Sequence, residues 1–478
     1  MEPDGRTLPL TRGQLDIWLA QETGHSATEW QLALFVRIEG RVERGALEWA
    51  IRRAVQEAEP ARASFFELDG QVFQKTIGYP DIELAFYDLS DSDDAVQEAR
   101  GMALSLQRTP MPLAGSLFKF ALFRTRCDEF YLFACCHHIA IDGTGLALVG
   151  QRIASVYSAI ISGAPIPATL FGSLQDLVDL ELAYEASNDY LDDKDYWTGN
   201  LPAESAGHYL WPDAAGERDP WPTAPIRLDP GVLGRVQELS RVWNIRQTSV
   251  ITAACALLVH GWCAEGPEVV LNFPVNRRVQ PESKTLPGMI AGVVPLVLRV
   301  SPALTVARFC EYVDTRVRDA VQHQRFPVHA LERKANPHGP GRQTDRVSVN
   351  FLPAGFTLSF GGVAASASYI NSGQAGGFGL IFASDGDQLS LSTAGVGGPF
   401  SDLDLSDLAG RLQRVLTAIT ADPTRRLSSI DILDTPEHAH LDALGNRAVL
   451  THPAPTPASI PELFTAQAAR TPDAIALI

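Results

Sequence analysis

The sequence has no apolar run long enough to cross a bilayer. Its most apolar stretches, near Ser249 to Val259 and Met289 to Leu298, fall short of the roughly 20 residues that a spanning helix needs, which predicts no membrane segment. The first residues, Met1-Glu2-Pro3-Asp4-Gly5-Arg6, are polar and acidic with no apolar segment behind them, so the chain reads as not addressed for export and as cytoplasmic. Cysteine is scarce: Cys127, Cys135, Cys136, Cys255, Cys263 and Cys310 are the only six in 478 residues, and most lie inside apolar segments. That spread excludes a disulfide framework and reads as small reduced core residues. Positive charge is in deficit, and a net charge of -17 argues against a nucleic-acid-binding surface or one that binds anionic membranes. No Gly-rich phosphate loop is present, because the one glycine cluster, Ser372-Gly373-Gln374-Ala375-Gly376-Gly377-Phe378-Gly379, is too irregular. No short repeat period appears, which excludes solenoids. The sequence also lacks a His pair at helical i, i+4 spacing and any Cys-x-x-Cys, so no metal site is expected.

What is present is an apolar run, Phe130-Tyr131-Leu132-Phe133-Ala134-Cys135-Cys136, that leads into His137-His138-Ile139-Ala140-Ile141-Asp142-Gly143. An uninterrupted apolar, aromatic-rich run predicts a strand covered on both faces, from which His137 and His138 project to opposite sides. Only one of them can face a given cavity. From Leu146, apolar residues recur at Val149, Ile153, Tyr157 and Ile160, which predicts a helix that begins just after Asp142-Gly143-Thr144. A titratable imidazole, a carboxylate and a flexible glycine therefore share one strand-to-helix turn. Taken alone, these seven residues are also compatible with a purely structural His-Asp turn.

With 45% hydrophobic and 20% charged residues, the chain is globular and long enough for two large lobes. The first half reads as α/β: a helix at Thr11 to Gln21, a strand at Gln31 to Ile38, a helix carrying Ala46, Ala50, Ile51 and Val55, and strands at Gln71 to Ile77 and Leu117 to Arg124. A polar passage from Asn188 to Pro225 predicts the crossing between lobes, and its run Asp192-Asp193-Lys194-Asp195 reads as a solvated helix start. The second half repeats the style. Helices are expected at Thr248 to Trp262, Val306 to His323 and Leu405 to Ile419, with strands at Val269 to Phe273, Arg346 to Phe351 and Leu389 to Thr393. Beyond Leu433 the composition shifts to Pro, Ala, Thr and His, which reads as an extended linker, followed by a capped helix from Ser459 and a strand start near Thr471 to Ile478. The expected division is 1–185 for the first lobe, 186–435 for the second, 436–458 for a linker and 459–478 for the beginning of another domain.

Several spaced motifs together resemble the condensation domain of nonribosomal peptide synthetases. His137-His138-x-x-x-Asp142-Gly143 matches that family's signature, and Leu10-Thr11-Arg12-Gly13-Gln14-Leu15-Asp16-Ile17-Trp18 resembles its opening motif. Tyr190, Tyr196-Trp197 and Leu201-Pro202 resemble the segment between lobes. Asn272-Phe273-Pro274-Val275-Asn276-Arg277-Arg278 resembles a Gly-x-Pro-x-x-x-Arg stretch with Asn272 in place of Gly. His323-Gln324-Arg325-Phe326-Pro327 and Asp345-Arg346-Val347-Ser348-Val349-Asn350-Phe351 resemble the late motifs. Ile460-Pro461-Glu462-Leu463-Phe464 through Leu477 looks like the first residues of an adenylation domain. Two departures stand out: Gly292-Val293-Val294-Pro295 where the family usually has an Asn-Thr pair, and Thr144-Gly145 where Trp-Ser or a similar pair is common.

The resemblance implies two chloramphenicol acetyltransferase-like α/β lobes in a V-shaped pseudo-dimer with a central tunnel. It implies attack of an acceptor aminoacyl amine on a donor thioester. It also implies that the domain itself binds no cofactor, both substrates being carried on phosphopantetheine arms of carrier domains. Holding two tethered reactants together removes about 7–11 kcal/mol of entropic barrier in well-oriented cases. His138 is the candidate for the tunnel, as base or as acceptor of an amine hydrogen bond. Gly143 is placed for its N–H to reach the thioester oxygen. His137 is expected in the core. Asp142 either orients His138 or holds the turn; the resemblance implies the second, through pairing with Arg278. Asn350 is a candidate tunnel contact or a structural strand-end residue.

The implied partners are a donor acyl or peptidyl carrier protein acting in trans, an acceptor peptidyl carrier domain and an adjacent adenylation domain. The opening motif begins about eight residues after Met1, which, with the altered fifth motif, points to an initiating type that takes a fatty-acyl donor. The alternatives are a coenzyme A-dependent acyltransferase of the same fold and a non-catalytic recruitment module.

Overall fold

The structure is a computed structural model that describes residues 6–22, 28–78, 82–202, 223–263, 266–335, 346–352, 357–373, 378–385, 388–395, 400, 403–445, 447, 451 and 459–475. Its strands, in chain order, are β1 (Leu8–Pro9), β2 (Gln31–Glu39), β3 (Ala63–Leu68), β4 (Gln71–Thr76), β5 (Leu84–Asp88), β6 (Phe118–Arg126) and β7 (Glu129–His137). They continue as β8 (Ile226–Arg227), β9 (Glu268–Val275), β10 (Gly292–Arg299), β11 (Val347–Leu352), β12 (Thr357–Phe360), β13 (Val363–Ser372), β14 (Gly379–Asp385) and β15 (Gln388–Ala394). Met1–Ile430 forms one compact unit and Asp431–Ile478 a second.

Within the first unit, each lobe is built on a six-stranded sheet, in the orders β12-β13-β2-β7-β6-β5 and β10-β9-β11-β14-β15-β8. The expected two-lobed α/β architecture is present. β7 lies inside the first sheet, paired with β2 on one side and β6 on the other, and every one of its residues is buried. Its alternation explains why: Phe130, Leu132, Ala134 and Cys136 point into the core beneath helices Arg44–Glu57 and Gly143–Ser162. Tyr131, Phe133 and Cys135 point into the opposite core, with Ala99 and Ala103 of helix Ala95–Gln107. In the second sheet, helix Gln247–Cys263 packs against helices Val306–Gln322 and Leu405–Ala421.

Several expectations need correction. Residues 357–372 fall within the span expected for the second lobe, yet β12 and β13 complete the first sheet, with β13 antiparallel to β2. The reason is an open edge: without β13, the apolar strand β2 would expose its backbone groups to solvent. Residues 435–444, expected at the start of an extended linker, form a helix whose N-terminus is closed by a capping box between Asp434 and Glu437. Asp193, read as part of a solvated run, is buried. It accepts from the Tyr184 hydroxyl at 2.5 Å and lies 2.7 Å from His323 Nδ1. Cys127 is exposed rather than in the core. Helix Gly143–Ser162 is long and apolar enough for a membrane span by length and composition, but its apolar stripe, Leu146, Val149, Ile153 and Tyr157, is packed in the core. In the second unit, helix Ile460–Arg470 forms as expected; residues 471–475 form no strand, and 476–478 lie outside the described residues.

The two motifs Tyr196-Trp197 and His323-Gln324, distant in sequence, meet. Trp197 is buried and donates its indole N–H to the His323 carbonyl at 2.8 Å, while the Tyr196 ring stacks on the His323 imidazole at 4.0 Å between centroids. Trp197→Ala removes this anchor and leaves a cavity, so urea denaturation is expected to show a loss of about 3–5 kcal/mol.

Candidate functional site

β7 ends at His137, and the chain turns through His138 to Asp142, which caps helix Gly143–Ser162. Asp142 Oδ1 accepts from the Gly145 amide at 2.8 Å, as an N-cap carboxylate should. Its Oδ2 accepts from Arg278 Nη1 at 2.6 Å and from the amides of Ile290 and Ala291 at 3.0 and 2.9 Å. Arg278 Nη2 in turn donates to the carbonyls of Leu286 and Gly288 at 3.2 and 3.0 Å. Both side chains are essentially out of solvent. Burial alone would raise the Asp142 carboxyl, but Arg278 and the surrounding N–H groups outweigh it and hold the group below its ordinary value. These contacts occupy both oxygens of Asp142 and tie the turn of the first lobe to the segment after β9 and the 286–291 loop of the second.

The two histidines diverge. His137 is buried: Nδ1 lies 3.2 Å from the Ile139 amide nitrogen and Nε2 lies 2.9 Å from Gln21 Nε2. Burial pushes its imidazole down to about 3, so it is neutral at pH 7. His138 lines a cavity of about 600 Å³ between the lobes. Its backbone N–H donates to the Trp30 carbonyl at 2.7 Å, and its ring meets the Trp30 indole edge-on at 6.5 Å. Among the described residues, Nδ1 is buried with no hydrogen bond to a neighbouring side chain. Burial pushes this imidazole too below its ordinary value, against the opposing pull of the Asp142 carboxylate. A neutral ring with a cavity-facing edge can accept a proton or a hydrogen bond there.

Gly143 is the first helical residue and lines the same cavity, with nothing within 4 Å of where a side chain would begin. The first-turn amides of a helix concentrate positive partial charge, which suits a developing oxyanion. Asn350, on β11, also lines the cavity. Thus His138, Asp142, Gly143 and Asn350 come together around one cavity, Arg278 braces it from behind, and His137 lies on the other side of the strand.

The cavity has further walls that the sequence reading left without a role. Asn276 receives Thr144 Oγ1 at 3.4 Å and Arg278 Nη1 at 3.1 Å, so the unusual Thr144 is bonded across the lobes. Arg277 adopts a left-handed backbone (φ 57) and sends its guanidinium to the carbonyls of Gln324 and Phe326. A Cβ on Gly292 would stand 2.2 Å from the Arg277 Cζ, so the departure in the fifth motif leaves the space that this guanidinium fills. His329 lies 2.9 Å from Glu332 through Nδ1, and Glu332 accepts from Arg346 at 2.8 Å. Burial would raise the Glu332 carboxyl, but its bond to His329 and the charge of Arg346 push it down to about 2. Asn276 and Arg277 sit inside a quoted motif and His329 two residues beyond one, so their neighbourhood was a usable signal. Tyr369 and Gly373 reach the cavity only through the pairing of β13 with β2, which no local pattern announces. No cluster of metal-ligating side chains occurs among the described residues.

The two-lobed α/β fold thus places a buried His-Asp turn on the wall of an interlobe cavity. Residues 5–441 match the condensation domain family, and the chain belongs to it. It is an amide-bond-forming acyltransferase of nonribosomal peptide synthesis. The first condensation domain of the calcium-dependent antibiotic synthetase, in complex with substrate analogue 3a, superposes with a TM-score of 0.78 at 26% identity, over 90% of this chain and 99% of that one. A variant of the starter condensation domain of rhizomide synthetase, in complex with C8-CoA and Leu-SNAC, gives 0.75 at 26% identity, over 90% of this chain and 98% of that one. An isonitrile lipopeptide synthase of Mycobacterium tuberculosis is 28% identical over 517 residues, which cover 98% of this chain and 20% of that protein. The chain spans about a fifth of the length of the first curated relatives it matches.

The pKa shifts predict how stability responds to acid. His137 has a folded value well below its unfolded one of about 6.5, so the unfolded state takes up a proton first and stability is lost as pH falls from about 6.5 toward 3. Asp142 is likewise depressed, so its contribution is full above about 4 and is lost as pH falls through the lower folded value. Urea midpoints measured from pH 7 to 3 should decline in that order. His137→Asn should flatten the upper part of the curve and Asp142→Asn the lower. Arg278→Ala, which leaves Asp142 buried and unpaired, should destabilise by about 3–5 kcal/mol.

Proposed function

We propose that the domain joins a carrier-bound aminoacyl amine to a carrier-bound acyl thioester, with His138 as the group that receives or orients the amine. The amine nitrogen attacks the thioester carbonyl, the carbon–sulfur bond breaks, and the amine proton passes by way of His138 to the departing thiolate. Gly143, at the positive end of helix Gly143–Ser162, holds the carbonyl oxygen as charge develops. Asn350 contacts substrate in the cavity, while Asp142 and Arg278 keep the turn in shape. The observation that carries this reading is a neutral imidazole on the wall of a cavity shared by both lobes.

We read the donor as a fatty-acyl group and the domain as an initiating one. Three observations support this: the similarity to a starter domain in complex with C8-CoA, the similarity to a lipopeptide synthase, and the apolar side chains of Ile17, Leu32, Val275, Val293 and Phe351 along the cavity. The partners this reading implies are a donor carrier and an acceptor carrier. Residues 459–478 we read as the beginning of an adenylation domain. The capped helix Ile460–Arg470 exposes Ile460, Leu463 and Phe464, an apolar face suited to a following fold. We place the domain in the cytoplasm, in keeping with buried thiols such as Cys135 and Cys310, which burial pushes up to about 12 and so keeps unreactive.

His138→Ala should lower amide formation by about 10²–10⁴-fold in a folded protein, and unchanged turnover would remove the catalytic assignment. Intact mass measurement of loaded acceptor carriers, after separate offers of acyl and peptidyl donors, should show product with the acyl donor. Product from the peptidyl donor alone would overturn the initiating type.

A further inference from the structure

The Cδ2–Nε2 edge of the His138 imidazole lies close against a backbone, and that backbone comes from the end of the crossover strand. Gly373 follows the last residue of β13, is buried, and has φ +75, a left-handed conformation that side-chain-bearing residues rarely adopt. A Cβ built there would stand 2.4 Å from His138 Cδ2 and 3.2 Å from Nε2. Glycine is therefore required twice over, by backbone conformation and by lack of room.

The approach is held by two local devices. The register of β13 on β2 shifts between Tyr369 and Asn371, a bulge that re-aims the end of the strand. The Gly373 amide then donates to the buried side chain of Asn371 at 3.0 Å, which fixes the turn. The strand next to β13 is β2, and Gln31 at its end pairs with His137, the residue before the imidazole.

We propose that Gly373 is a positioning residue for His138: its bare Cα is the wall that sets the angle at which the imidazole faces the cavity, and thereby the rate of amide formation. The proposal rests on the catalytic reading of His138. Its consequence is that part of the active-site geometry is supplied by a strand more than 200 residues away in sequence, with no reacting group of its own.

The test is a four-protein comparison: the unchanged chain, G373A, H138A and the H138A/G373A double variant. Amide formation is followed with the acyl and aminoacyl thioester pair that the unchanged chain uses best, and stability by urea midpoints. G373A should lower kcat by about 10²-fold, with the acceptor KM changed far less, because a displacement of about 1 Å at a reacting group has that effect. The backbone strain of Ala at φ +75 is present in both backgrounds and cancels in the cycle, so the remainder reports the contact with the imidazole. G373A should therefore lower the urea midpoint more in the presence of His138 than in its absence. Equal lowering in both backgrounds, or an unchanged kcat in G373A while H138A loses activity, would overturn the proposal. Full activity in H138A would instead remove the reading on which it rests. If G373A does not fold, the double variant decides: recovery of folded protein supports the contact, and failure in both backgrounds overturns it.

Discussion

The geometry of the site depends on one buried ion pair, Asp142 with Arg278, at 2.6 Å and 136 residues apart in the chain. Removing two charges from water costs several kcal/mol per ion and is offset only where good geometry and further hydrogen bonds satisfy both groups. Here the carboxylate receives three backbone amides besides the guanidinium, and the guanidinium reaches two carbonyls of the 286–291 loop and the side chain of Asn276. Asp142 also donates its own amide to the Gly288 carbonyl. The result is a clasp rather than a simple pair: the helix start of one lobe and the loop entering β10 of the other are fixed to the same few atoms. Met289, Ala291 and Gly292, on or just after that loop, line the cavity. The same interaction that holds the lobes therefore shapes the space between them.

In the proposed reaction, this arrangement separates scaffolding from chemistry within a single turn. Asp142 stands four residues from His138, yet its oxygens are committed elsewhere, so it acts on the imidazole through space, favouring the charged form against burial. Burial outweighs that pull and holds the imidazole below its ordinary value, the direction that suits the proposed role of accepting from an amine. An acid–base term of this kind is modest beside the gain from holding two tethered reactants in one cavity. The stiffness of the surrounding clasp and the neutrality of the ring serve the same end.

The sequence made β2, β6, β7 and the His-Asp turn readable because their signals are local. An unbroken apolar run specifies a strand buried on both faces, the recurrence from Leu146 specifies the helix that follows, and the alternation along β7 separates the two histidines. The crossover strand was not readable in this way. The polar alternation in Val363-Ala364-Ala365-Ser366-Ala367-Ser368 suits any half-buried strand, and nothing in it names β2 as its neighbour. Asp193 was missed for a related reason: charges at a helix start are usually solvated, and its partners Tyr184 and His323 come from two other segments. Local periodicity reports burial, while the identity of a partner across 130 or more residues is set by the whole fold.

The imidazole therefore sits among segments that are far apart in the chain: Trp30 before β2, the turn after β7, and the end of β13. Each of these joins the others through β2, which pairs with both β7 and β13. A strand in that position transmits its register to both neighbours, so a slip of one residue would turn every side chain on it to the opposite face. Leu32, Leu34 and Val36 on one face of β2, and Ala33 and Phe35 on the other, belong to two separate buried cores, so either slip would place each set in a core built for the other. The two cores thus fix the register of β2, and that register fixes where the β13 bulge and the β7 turn meet. The precision of the site is in this sense a property of the first lobe's packing as well as of the residues that line the cavity.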